Sequence, residues 1–356
     1  MMEPGCYKSA DNSFGPSISC SHAFDFTLVF EQSILSIGPS ALFLLLAPWR
    51  VWQLYGKSVK TVRITNCVLW LKLILAISLV GIRIATLALW IRDDSNTIRT
   101  AVPAVALSLL GALFVAILSF FEHGRSVRPS TLLTVYLLLS ILFDSVHART
   151  LFLRPYIPTS LAATVTASIG LQVILLLLET QHKGNHLSAA HREKYSPEEL
   201  SGILTRTVFS WLNTLFVQGF RKMLTLDDLF PTDNQLSSDL LMTRLKANWA
   251  KSTCLNILCA LGDSKIDTYE LDKSSKARSI IYATLSCLRW EVLKIIFPRL
   301  CLVGLSYAQT FFIEGVITNL NRPGTQSAKN DGYGLIGAAA LIYGGIAVCE
   351  TSAISH

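Results

Sequence analysis

The sequence predicts an all-α fold: a polytopic membrane helical bundle of about seven spans, with a cytoplasmic amphipathic linker between the fifth and sixth. Three observations predict it. Of 356 residues, 51% are hydrophobic and only 15% are charged, where a soluble globular domain carries about 25%. Mean hydropathy is +0.46. Apolar runs of membrane-crossing length recur along the chain, too many to fill one buried core. Together these exclude a soluble enzyme, a disordered chain and a collagen. The formal charge of +7 comes from basic residues scattered between apolar blocks, so it reports topology, and nucleic acid is not an expected partner.

Residues 1–25 are polar, carry Glu3, Asp11 and Asp25, and lack the basic start and apolar middle of a cleavable signal peptide. A spanning helix needs about 20 apolar residues, because each advances about 1.5 Å through a hydrocarbon layer of about 30 Å. Four segments meet this without a formal charge: 32–49, 101–121, 159–178 and 332–349. Three meet it with exceptions. Segment 69–90 holds Lys72 and Arg83, 131–153 holds Asp144, His147 and Arg149, and 300–321 holds Glu314. Trp49, Trp52 and Tyr55 follow the first span and Trp70 and Trp90 bracket the second, where amphipathic rings settle at the interface.

Loop charge sets the orientation. Arg50, Lys57, Lys60, Arg63, Arg125, Arg128, Lys183, Arg192 and Lys194 fall on one side and outnumber Lys8, Arg92, Arg99, Arg149 and Arg154 on the other. Cytoplasmic loops retain the excess of Lys and Arg, so the amino terminus is expected outside or in the lumen. In that compartment Cys6 and Cys20 are candidates for a disulfide. The other six cysteines, Cys301 and Cys349 among them, read as ordinary thiols, and no C-x-x-C spacing suggests a metal. Glu31, Arg83 and Asp144 are candidates for intramembrane charge pairing. An unpaired charge in lipid costs several kcal/mol, which turns Arg83 towards the bundle interior and a carboxylate. A proton or substrate relay is one reading of this set, and a structural pair fixing helix rotation is the favoured one.

Residues 179–290 break the hydropathy pattern and are too many for an ordinary connection. Ser196, Pro197 and Glu199 form a helix start with a cap, a first-turn proline and a glutamate. Leu204, Val208, Trp211, Leu212, Leu215 and Phe216 then recur at helical spacing, giving an apolar face that suits the inner membrane surface or the flanking bundle. A second amphipathic stretch is expected over 238–251. His182, His186 and His191 have spacing that metal ligands use, but they read as a polar exit from the fifth span. No G-x-S-x-G turn is present, and Asp227 with Asp228 fits a helix or turn start.

Within this segment Phe209, Trp211, Leu215, Gly219, Arg221, Leu224, Asp228 and Leu229, followed by Trp249, resemble the linker of the multidrug resistance-associated (C) subfamily of ABC transporters. The resemblance implies three regions: a five-span amino-terminal domain (1–179), a cytoplasmic linker (180–289), and the first two helices of a transporter core (290–356). Trp211 reads as an interfacial anchor and Arg221 as a partner for acidic groups or lipid phosphates, with simple packing an equal alternative. The run from Pro298 is similar to the first core helix, which makes Tyr307, Gln309, Phe312 and Glu314 candidates for the substrate cavity. Complete relatives use ATP and Mg to export organic anions, conjugates or drugs, from the plasma or vacuolar membrane.

The chain departs from that pattern. Gly56, Lys57 and Ser58 imitate the end of a phosphate loop, but Val51 stands where its first glycine belongs. Leu200, Ser201 and Gly202 imitate a signature motif, and Ile203 and Leu204 then break it. No cofactor, metal or catalytic residue is therefore expected in this chain, which alone should neither hydrolyse ATP nor transport. The tail after Cys349 does not read as a continuing helix, so a truncated product is expected. Its partners would be membrane lipid and other membrane subunits or the missing transporter half. The competing functions are a non-transporting membrane scaffold and, less favoured, a seven-helix receptor.

Overall fold

The computed structural model describes residues 9–14, 26–56, 66–92, 98–126, 129–154, 156–180, 197–202, 205–206, 209–225, 230, 238–260, 268–321 and 326–354. Most of these are helical, with no strand among the described residues. Among the described residues seven helices are long and apolar enough to cross a membrane, as the hydropathy predicts. The chain divides into two compact units, Met1–Arg206 and Thr207–His356.

The first unit is built from α1 (Leu28–Tyr55), α2 (Asn66–Arg92), α3 (Ala101–Arg125), α4 (Thr131–Leu153) and α5 (Thr159–Glu179). Local chemistry sets the starts of α1 and α4. The Thr27 side chain accepts from the Phe30 amide, and that of Ser130 from the Leu133 amide, so each satisfies a donor that a helix start leaves open. The α1 helix begins ahead of the apolar run that marks it in the sequence, and Glu31–Ile37 is wound as a π-helix. Pro39 accounts for the distortion: it has no amide for the Leu35 carbonyl, and its ring crowds the preceding turn.

The principal contacts close the five helices into a ring in the order α1, α3, α2, α5, α4. Sequence neighbours α2 and α3 pack together, as do α4 and α5, and α1 joins the two pairs. Two apolar clusters fill the ring. One, at the end nearest the chain start, includes Leu28, Trp90, Ala101, Leu151, Leu161 and Val165. The other includes Phe43, Ala47, Val115, Leu118, Leu137 and Leu175. Leu45, Ile77 and Leu177 face outward and are exposed, as lipid-facing positions require. Lipid tails are as apolar as leucine, so burial alone gives these helices no reason to associate; close packing and polar contacts must do it. Gly111 shows the close packing: a Cβ there would lie 2.5 Å from the Tyr136 hydroxyl oxygen.

The linker differs from its expectation. Pro197–Leu200 forms a single helical turn, and from Phe209 onward the described residues break the helix expected there. Phe209 adopts a left-handed backbone (φ 52°), Ser210–Leu212 is a 3-10 turn, and α6 covers only Asn213–Arg221. Ser210, whose hydroxyl competes with the backbone's own hydrogen bonds, opposes regular helix in that stretch. The second unit continues with α7 (Ser238–Ala260), α8 (Thr268–Leu320) and α9 (Gln326–Ile354). The α8 helix packs against α7 and α9. The boundary expected at 289/290 falls inside α8, and helix continues through the tail to Ile354, where the sequence reading expected a break. No residue in the apolar windows of the sixth and seventh spans is buried, against 28–39% in the first five.

Candidate functional site

Between the two apolar clusters of the first unit lies a polar layer, and each of its five helices contributes to it. Arg83 of α2 donates from its guanidinium to the Asp144 carboxylate of α4. Gln172 of α5 donates to the same carboxylate oxygen from Nε2 at 2.9 Å. One turn along α4, the Glu31 carboxylate of α1 accepts from the Thr150 hydroxyl at 2.5 Å and faces His147 Nδ1 at 3.1 Å. Gln32 Oε1 accepts from Thr100 at 2.7 Å. The Thr86 hydroxyl bonds back to the Ile82 carbonyl at 2.9 Å and across to Thr164 at 3.2 Å. Glu31, Gln32, Leu35 and Ser36 of the π turn all line the central cavity.

The cavity is about 20 Å³, lined also by Ser108 of α3 and Val165 of α5, and holds about one water. Gln32 Nε2 and Trp90 Nε1 belong to lining residues and find no protein partner among the described residues. Chemically the space suits a hydrogen-bond acceptor the size of water and excludes an organic anion or drug.

The sequence reading grouped Glu31, Arg83 and Asp144. The structure joins Arg83 to Asp144 and gives Glu31 a separate set, His147 and Thr150. It also contains three ion pairs that sequence reasoning missed. Asp11, fully buried, accepts from Arg154 Nε at 2.8 Å and Nη2 at 3.2 Å, from the Tyr156 hydroxyl at 2.6 Å and from the Leu28 amide at 3.3 Å. Burial, reinforced by the Asp11 carboxylate, pushes the Tyr156 phenol far above its ordinary range. Near the opposite end, Lys72 Nζ lies 2.7 Å from Glu179 Oε2, both buried, and Arg50 Nε lies 3.0 Å from Glu122 Oε1. Arg125 donates to the Tyr55 and Leu54 carbonyls at 2.6 and 3.3 Å, closing the carboxyl end of α1. Lys72 carried a usable signal, being a cation inside an apolar run; Asp11, in a polar segment, carried none.

In the second unit the linker residues are placed as follows. Phe209, Trp211 and Leu215 are half-buried, Gly219, Arg221 and Leu224 are exposed, and Trp249 on α7 is exposed. Trp211 stacks obliquely on Phe230, ring centres 6.4 Å apart. Asp228 and Leu229 lie outside the described residues, as do Cys6, Cys20 and the three histidines at 182, 186 and 191. The candidate cavity residues do not converge. Gln309 donates to the Tyr343 hydroxyl at 3.3 Å and Phe312 meets the Tyr343 ring edge-on, whereas Tyr307 and Glu314 are exposed. No cluster of three or more His, Cys, Asp or Glu fit for a metal occurs among the described residues.

A five-helix ring ahead of a linker and a further helix pair, all with spans of membrane-crossing length, makes this a polytopic membrane protein. Residues 6–165 match the family model of the ABC transporter TMD0 domain. The chain is 37% identical over 344 residues to the ABC multidrug transporter lscH of Purpureocillium lilacinum, covering 95% of this chain and 21% of that protein. It is 32% identical over 335 residues to ABC multidrug transporter B of Aspergillus fumigatus, covering 94% and 21%. It is 37% identical over 344 residues to ABC-type transporter FG02316 of Gibberella zeae, covering 96% and 22%. Residues 6–165 are thus a TMD0 domain of the ABC transporter kind, and the chain is homologous to fungal ABC multidrug transporters over most of its length, spanning about a fifth of the length of the curated relatives it matches.

Proposed function

We propose that this chain is the amino-terminal membrane portion of an ATP-driven exporter of the C subfamily, acting on small organic anions, conjugates or drugs. The observation that carries this reading is similarity running through ring, linker and helix pair alike, over 95% of the chain, to a multidrug transporter. Within such a transporter the five-helix ring is an anchoring and positioning unit, because its central cavity of about 20 Å³ is too small to pass such cargo. The substrate path then involves α8 and α9, with Tyr307 and Glu314 turned towards core helices supplied from outside this chain. ATP and Mg act elsewhere in the complete transporter. The amino terminus faces outside or the lumen, as the loop charges require, and the membrane is the plasma or vacuolar membrane.

The test is a chimera in which this chain replaces the matching first fifth of the Aspergillus fumigatus relative. Expected is correct membrane delivery, ATP hydrolysis and drug efflux at a level comparable with the parent. A chimera that reaches the membrane and hydrolyses ATP but exports nothing would count against the reading. In that case the ring and linker serve a scaffold, the alternative function.

A further inference from the structure

The second unit contains a thiol pair that the transport reading leaves unused. Helices α8 and α9 pack as an antiparallel seam whose register can be followed contact by contact. Asn319 lies 3.8 Å from where a Cβ on Gly332 would sit, and Leu335 lies 3.5 Å from the corresponding position on Gly315. Gln309 bonds Tyr343 at 3.3 Å. Leu305 comes within 2.8 Å of the Cβ position of Gly345, so a side chain larger than hydrogen does not fit there without a shift. One turn further along both helices, on the same faces, stand Cys301 and Cys349. They are half-buried and unbridged, and the register of the seam sets them opposite each other. Cys301 sits just inside the start of the sixth span and Cys349 just before the end of the seventh, so both thiols lie at one end of the helix pair, next to water.

We propose that Cys301 and Cys349 are an oxidant-responsive pair that closes into an intrachain disulfide and clamps α8 to α9 when the cell carries peroxide. One thiol loses its proton and attacks the peroxide O–O bond as thiolate, giving a sulfenic acid and hydroxide, which takes up that proton and leaves as water. The second thiol attacks that sulfur, forming the S–S bond and releasing a second water. In balance, two thiols and one hydrogen peroxide give one disulfide and two waters. In a reducing cytoplasm the pair rests as dithiol and responds only to oxidative load. At Gly345 the missing side chain lets Leu305 pack directly onto α9, one turn from the two cysteines. Two sulfurs without a third ligand do not make a zinc site.

The test uses the full chain in native membranes, with a protease site placed in the 322–325 connection. After exposure to hydrogen peroxide and alkylation of remaining thiols, the chain is cut and run without reductant. The two fragments are expected to stay joined and to part on adding dithiothreitol. Cys301→Ser and Cys349→Ser should each abolish the joined species. So should Cys349→Ser combined with Val348→Cys, which keeps the thiol count and moves the sulfur off the seam. Fragments that part after peroxide in the unmodified chain overturn the proposal, and so does a joined species that survives either serine substitution.

Discussion

At the residue scale the first unit is organised by charges that lipid would penalise. Arg83 and Asp144 are the test case, because both sit well inside spans and Asp144 also accepts from Gln172. Removing one partner leaves a buried charge alone, at a cost of about 3–5 kcal/mol. Arg83→Glu is therefore expected to collapse the yield of folded protein in mild detergent, and Asp144→Arg on that background to recover much of it. Equal yields from the single and double variants would show that the two helices do not depend on this pair. Tyr156 offers a second test. Tyr156→Phe removes a donor to the buried Asp11 carboxylate and should cost about 1–3 kcal/mol. The phenol is held protonated in the fold, so its contribution is complete below the unfolded value of about 10 and fades as pH climbs past it. Thermal melts from pH 8 upward should fall more steeply above that point in the native chain than in the phenylalanine variant.

At the element scale the helices were legible and their irregularities were not. Every span declared itself as an uncharged or nearly uncharged run, because the length that lipid demands leaves few alternatives. The π turn of α1 arises from a proline acting on the preceding turn, and hydropathy has no term for it. The linker misled for a related reason. Apolar residues at steps of three and four describe a face, yet Phe209 turns left-handed and divides the stretch. Of the site, Arg83 with Asp144 was legible as charge in an apolar run, whereas the partners of Glu31 depend on helix rotation, which no spacing fixes. Packing between α3 and α4 gives a prediction at this scale. Gly111→Ala places a methyl 2.5 Å from the Tyr136 hydroxyl oxygen and should cost about 1–3 kcal/mol, seen as a lower melting temperature. Adding Tyr136→Phe removes the clashing atom and should restore most of the loss; an alanine variant that melts like the parent would mean that the two helices part freely.

At the scale of the whole molecule the two units differ in how far they satisfy themselves. The ring has two filled apolar clusters and a bonded polar layer. The sixth and seventh spans bury no residue of their apolar windows, and Glu314 stands exposed on an apolar helix. In detergent the full chain should therefore self-associate faster than residues 1–206 alone, and size-exclusion profiles over time would show it. Equal stability of the two preparations would mean that lipid or detergent covers those faces without help. The carboxylate of Asp11 carries a practical consequence for the gene. A reading frame begun at codon 26 would keep all five spans yet remove the buried carboxylate that meets the Arg154 guanidinium at 2.8 Å. Shortening from the front should be tolerated only until that aspartate is reached.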